Sequence, residues 1–169
     1  MLASNCVLRK LETTGNSSEM AVDGSSTNVT FTYTVPTGKA LYLSSLVGRM
    51  QPALYQGSPR EKWGCGFGND DDPLSQGCQV YIRDASQTTV LDLTVDGAIK
   101  RNSDFANLAG GNVGDYGPDA FGFSVLFSDL LGDTLVLPPG YQVVVKIRDN
   151  LTTLVTSLEM SVAGELSDT

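Results

Sequence analysis

From Asn28 to Val35 the chain alternates strictly, with Val29, Phe31, Tyr33 and Val35 on one side and Thr30, Thr32 and Thr34 on the other. A period of two places the apolar set on one face of an extended backbone, so the stretch predicts a half-buried strand. The turn Val35-Pro36-Thr37-Gly38-Lys39 follows, with Pro36 suited to the second and Gly38 to the last position of a type I turn. A second run, from Ala40 to about Met50, keeps Leu41 and Leu43 on one face until Ser44-Ser45 interrupts it, which predicts a bulge. The two runs and their turn read as a hairpin.

The same syntax returns later. Thr134 to Leu137 leads into Pro138-Pro139-Gly140 and then Tyr141 to Asp149, and here Pro139 and Gly140 fit the two central positions of a type II turn. Further strands are expected at Gln79 to Asp84, at Thr89 to Val95 with Leu91, Leu93 and Val95 inward, and at Phe121 to Phe127 with Phe121, Phe123, Val125 and Phe127 inward. Leu154 to Val162 closes the series with Leu158, Met160 and Val162 on one face. A weaker strand is expected around Cys6 to Leu11 or Glu19 to Val22, and a single helical turn at Ser103 to Leu108, capped by Ser103.

Short alternating strands bounded by Gly and Pro predict an all-β fold, an antiparallel β-sandwich or a closed barrel. A jelly roll suits the strand number best, and an immunoglobulin-like sandwich is its main competitor. Two long segments interrupt the strands, Gln51 to Gly77 and Lys100 to Asp119. Both far exceed the ~4–6 residues of an ordinary connection, which marks them as functional loops or structured covers.

At 169 residues the chain suits one domain, residues 1–169, with an N-terminal arm over about residues 1–16. No run approaches the ~20 apolar residues that span a bilayer, so no membrane partner is expected. The start, MLASNCVLRKLETTG, lacks the basic and then apolar pattern of a secretory leader, so synthesis in a cytoplasm is expected. Eleven basic against nineteen acidic residues give a net charge of −8, the wrong sign for a phosphate backbone, and nucleic acid is not expected as a partner.

Histidine is absent from the sequence, which excludes Ser-His-Asp and Cys-His catalysis and the histidine metal sites of cupin-type enzymes. A carboxylate pair could still serve a glycosidase, but Asp92 and Glu159, the acids that fall in strands, are expected on solvent faces. Enzymatic activity is therefore not expected. Asn69-Asp70-Asp71-Asp72 offers hard oxygen ligands without the alternation of a calcium loop, and a solvated acidic loop is the simpler reading. No metal or other cofactor is expected. The acceptor tripeptides at Asn16, Asn28 and Asn150 occur often by chance and are assigned no role.

Three cysteines leave an odd count. A Cys65–Cys78 bridge would close a loop of about 14 residues and contribute ~3 kcal/mol by the loop-entropy model. In a reducing compartment both would be free thiols, and either state fits the sequence. Cys6 is expected to be buried. The long segments carry Tyr55, Trp63, Phe67 and Tyr116, aromatics among glycines, as candidate partner-interface residues; equally, they could fold back over the sandwich's own core.

The stretch Val35-Pro36-Thr37-Gly38-Lys39-Ala40-Leu41-Tyr42-Leu43, with Leu137-Pro138-Pro139-Gly140-Tyr141 and the strand ending Ile147-Arg148-Asp149-Asn150-Leu151, resembles the small β-sandwich proteins on tailed-phage particles. That group includes jelly-roll capsid cement, or decoration, proteins and the head domains of fibres. The resemblance covers roughly Asn28 to Gly48 and Asp133 to Gly164 and consists of turns and strands, with no short motif that assigns roles to single residues. It implies a virion protein on the capsid exterior, made in the host cytoplasm. It also implies a homotrimer seated between major capsid protein subunits, with loops and arm as adhesive surfaces. The rival expectation is a carbohydrate-binding module or receptor-binding fibre tip, with Trp63 or Tyr55 stacking on a sugar and Asp70 to Asp72 binding its hydroxyls.

Overall fold

The computed structural model describes residues 5–14, 24–52, 74–94, 111–115, 121–127, 134–150 and 155–169. Within them lie β1 (Asn5–Thr14), β2 (Val29–Thr34), β3 (Lys39–Pro52), β4 (Cys78–Arg83), β5 (Thr89–Asp92), β6 (Gly111–Asp115), β7 (Phe121–Leu126), β8 (Leu135–Leu137), β9 (Gln142–Ile147) and β10 (Val155–Asp168). They form two antiparallel sheets. One is six-stranded in the order β1-β10-β3-β7-β6, with β8 paired to the start of β3 beyond the end of β7; the other is four-stranded in the order β2-β9-β4-β5.

One core joins the sheets. Phe31 and Tyr33 from β2, Val80 and Ile82 from β4 and Val143, Val145 and Ile147 from β9 belong to the same buried cluster as Leu41, Leu43 and Leu46 from β3 and Met160 and Val162 from β10. This is a β-sandwich, held by alternate residues of facing strands. A fully buried aliphatic or aromatic side chain contributes roughly 1.5–3 kcal/mol relative to exposure, so these positions dominate the fold's stability.

The alternation predicted for the first strand holds, with Phe31, Tyr33 and Val35 buried and Val29 half-buried. Its partner does not. β2 pairs with β9 and β3 pairs with β10, so the Pro36 turn is a corner between two sheets rather than the loop of a hairpin. The reason lies in the turn. Lys39 N–H donates to the Pro36 carbonyl at 3.2 Å, which makes Pro36 the first residue and Gly38 the third, at φ +72°. A left-handed residue in the third position is the signature of a type II turn, whereas the tight hairpin turns carry one in the second or in both central positions.

The Pro138-Pro139-Gly140 turn matches its expected type: Tyr141 N–H donates to the Pro138 carbonyl and Gly140 has φ +82°. It too is a corner, carrying the chain from β8 in one sheet to β9 in the other. The two corners lie side by side, because Val35 N–H donates to the Tyr141 carbonyl and Gly140 N–H to the Val35 carbonyl. The β4–β5 loop sits at the same end. There Asp84 accepts from the Ser86 hydroxyl and from the Ser86 and Thr88 amides, and these bonds, the hydroxyl's first, hold its carboxyl below the usual range.

The predicted bulge is present. Ala163 lies opposite Ser45 and Gly164 opposite Leu43, leaving Ser44 as the extra residue of β3. Past it the inward set of β3 shifts to Leu46 and Gly48, while on β10 Met160, Val162 and Gly164 stay inward on both sides of the bulge. Gly164 occupies the tight point of this irregularity: a Cβ there would come within 3.0 Å of both the Tyr42 carbonyl oxygen and Leu41 Cδ1.

Three boundaries differ from expectation. β6 falls inside the segment Lys100 to Asp119 that was expected to be a loop; its residues, GNVGD, lack alternation and are extended by pairing with β7. β10 runs on to Asp168 along the start of β3, beyond the predicted Val162. β1 contains the weak strand expected at Cys6 to Leu11 and, within the segment read as an arm, lies antiparallel to β10 along its whole length. The alternative strand at Glu19 to Val22, the helical turn at Ser103 to Leu108 and the Asn69 to Asp72 cluster lie outside the described residues.

Candidate functional site

The interface candidates Tyr55, Trp63, Phe67 and Tyr116 lie outside the described residues, as does Cys65. What the structure describes is how the chain is held where the segment containing Tyr55, Trp63 and Phe67 returns to the sheet. Gln76 and Gly77 precede β4, and Arg148 and Asp149 follow β9, the strand beside it. The Asp149 carboxylate is buried and accepts from Gly77 N–H at 2.6 Å and from Gln76 N–H at 3.1 Å. Arg148 does the complementary work: its guanidinium donates to the Gln76 carbonyl and, at 3.3 Å, to the Gly77 carbonyl.

A third segment joins them. Gly24 N–H donates to the Asp149 backbone carbonyl at 3.0 Å, and a Cβ on Gly24 would collide with the Ile147 carbonyl oxygen. Gly77 itself is left-handed, at φ +76°, a conformation glycine adopts without the Cβ penalty. Adjacent residues of opposite charge thus satisfy donors and acceptors of a backbone stretch that has left the ladder, buried at Gly77 and exposed at Gln76.

Cys78 begins β4 directly beside this clasp and is a fully buried free thiol. Burial pushes its pKa far above the ordinary thiol value; Arg148 opposes that shift and Asp149 adds to it. Because the folded pKa is raised, the thiol supports the fold below its unfolded value of about 8.5 and that support is lost as pH rises past it. The native protein at pH 8 should therefore resist a thiol reagent such as dithionitrobenzoate at Cys78 and react there only on unfolding, measured as reagent release with and without urea in a variant retaining Cys78 alone. Rapid reaction of the native fold would mean that the start of β4 opens readily.

The outward face of the four-stranded sheet carries Val144 and Val90 among polar side chains that bond to one another. Arg83 Nε donates to Gln142 Oε1 at 2.5 Å, and Gln142 Nε2 donates to Thr34 Oγ1 at 3.0 Å, a chain across three strands. Lys146 Nζ lies 5.6 Å from the centre of the Tyr81 ring, a cation–π contact. Asp92, expected on a solvent face, is exposed there opposite Tyr81 and accepts from the Thr94 amide and hydroxyl. Among the described residues no three Cys, Asp or Glu side chains converge as a metal site requires, and no helix is long and apolar enough to cross a membrane.

No protein-family model matches the sequence, and no curated protein is similar to it. The reading of function therefore rests on the fold and on the surfaces it displays.

The Arg148-Asp149 clasp was not anticipated as a functional or structural site. The dipeptide was visible only as the polar end of a strand, and its partners lie 71 to 73 residues earlier in the chain. The one local signal is an adjacent Arg-Asp pair where an alternating strand stops.

Proposed function

We propose that the chain is a virion structural protein, a jelly-roll cement or decoration protein that binds the outer surface of a tailed-phage shell as a homotrimer and stabilises it. The observation that carries this reading is the order in which strands pair. β1 pairs with β10, β2 with β9, β3 with β7 and β4 with β5, so these pairs nest one inside the next and fall alternately in the two sheets, while β6 lies beside β7 and β8 beside β3, outside the nest. A jelly roll has this nested order and is a recurrent architecture of viral shell proteins, whereas an immunoglobulin-like sandwich divides its strands as A-B-E-D and C-F-G.

The stretches that carry the resemblance to phage cement proteins support the reading, since they form β2, β3, β8, β9 and most of β10 and meet at the paired corners. A cement protein works by area of contact and needs no catalytic group.

The test is the number of copies of the chain in purified particles, measured by quantitative mass spectrometry against the most abundant shell protein. A number on the order of that protein is expected, because covering a shell requires stoichiometric binding. A few copies per particle, or none, would sink the reading and point to glycan binding, which Trp63→Ala would then have to abolish.

A further inference from the structure

The outward face of the four-stranded sheet carries two cations whose charge is not spent inside the molecule. Lys39 is paired with Asp168, and the Arg148 guanidinium donates to the Gln76 and Gly77 carbonyls. Arg83 differs: its Nε is engaged by Gln142, and among the described residues its two terminal nitrogens have no partner. Lys146 is held over the Tyr81 ring, and its ammonium has no carboxylate partner among them. The acid on this face is Asp92, opposite Tyr81, and Thr94 already donates to it through both amide and hydroxyl.

Both cations are positioned within the fold itself. Gln142 accepts from Arg83 and donates to Thr34 Oγ1, which fixes the guanidinium plane and leaves its end-on edge, with two parallel N–H groups, unoccupied. That edge matches a carboxylate in two hydrogen bonds, a recognition that a lysine does not give. Lys146 lies opposite Gln79 and Arg83 opposite Gln142, so the two are rooted about 14 Å apart along the strands, at ~3.4 Å per residue, with Tyr81 between them.

We propose that this face docks on an acidic protein surface, where Asp or Glu carboxylates of the shell protein engage Arg83 and Lys146. Charge decides the occupant. A chain of net charge −8 repels an acidic partner over most of its surface, and a face with two cations and one acid that is already bonded is where such a partner approaches. Composition agrees with it. Arg and Tyr inside a polar rim are the residues that dominate protein interfaces, and Val144 between Thr32 and Tyr81 is fully buried beneath them. The inference rests on the virion reading for the partner's identity and names the surface that meets it.

The experiment is cosedimentation of the full chain with purified shells that lack it, over a series of chain concentrations. Arg83→Ala should weaken attachment at least about tenfold, as truncation of an interface arginine does, and Arg83→Lys should restore little of that. Gln142→Ala keeps both charges but frees the guanidinium, and should weaken attachment several-fold. Lys146→Gln should do the same and flatten the salt dependence of attachment. Val136→Ser, at an exposed position on the other sheet, should attach as the wild type does. Circular dichroism of each variant separates loss of contact from loss of fold, and Lys146→Gln decides the matter if Arg83→Ala does not fold.

A wild type that attaches, with Arg83→Ala and Lys146→Gln attaching equally well, would overturn this inference and leave the virion reading standing. Equal loss on Val136→Ser would overturn it too. An oligomer in solution that dissociates on Arg83→Ala, by sedimentation equilibrium, would overturn it and assign the face to a contact between copies. A wild type that attaches to no shell would sink the virion reading and this inference together.

Discussion

Asp149→Ala is expected to destabilise the fold by about 3 kcal/mol, through loss of charge-assisted bonds to two amides. Water can replace the carboxylate only if the site opens, because Asp149 and Gly77 are buried. Each N–H left without an acceptor in that environment forfeits roughly 1–3 kcal/mol. Urea denaturation should show the midpoint falling with little change in slope, and for a domain of this size the melting temperature should drop by roughly 10 °C. Asp149→Asn keeps one acceptor oxygen and should recover about half of the loss. Amide exchange should accelerate first at Gln76 and Gly77, whose donors lose their partner. A loss below about 1 kcal/mol would show that solvent takes over the carboxylate's role, and that the return of the long segment to β4 is not fixed by this residue.

Gly164→Ala should have an effect of similar size for a different reason. The position has an ordinary backbone conformation, so the penalty comes from space. The added methyl would meet the Tyr42 carbonyl oxygen and Leu41 Cδ1, both inside 3.0 Å. Leu41 is fully buried and Tyr42 O belongs to a strand paired with β10 on one side and β8 on the other, so neither can retreat without moving core or ladder. Overpacking of this kind costs about 1–3 kcal/mol when side chains alone must yield, and the backbone contact places this case at the upper end. Thermal unfolding of Gly164→Ala beside Ala163→Gly, on the same strand but the outward face, separates the steric effect from the ordinary difference between glycine and alanine in a strand. Equal stability of Gly164→Ala and wild type would show that the bulge at Ser44 absorbs the methyl.

The parts of this fold that were legible in the sequence are those decided by nearest neighbours. Strict alternation located β2 and its inward Phe31 and Tyr33, and a break in alternation located the bulge at Ser44. Pro139-Gly140 announced its turn type. What a turn joins is not local information: Pro36 to Lys39 could be read as a turn, but whether it closes a hairpin or rounds a corner depends on β9, more than 100 residues away, offering β2 a better partner than β3. β6 was missed because Gly111 to Asp115 has neither β-branched repetition nor a polar and apolar rhythm beyond Val113, and pairing with β7 overrides weak propensity. Asp149 was missed because a carboxylate's worth to the fold is set by the amides it meets, and those lie in another segment. The aromatic candidates of the long segments lie outside the described residues, whereas Tyr42, part of the motif that carried the family resemblance, stands exposed where its strand position would put it.

The nested pairing of strands also sets the order in which a growing chain can fold. β4 and β5 are neighbours in sequence and can pair as soon as both have left the ribosome, but β1 must wait for β10, whose residues begin at Val155. At ~5–20 residues per second that interval is on the order of 10–30 s. During it a ten-residue strand remains unpaired and the sheet lacks both its edge and one of its two longest strands. Such long-range closures make the last stage of folding the slowest. β1, made before every other described strand, is therefore among the last of them to be secured, and in a crowded cell its early competitors are the strands of other unfinished chains.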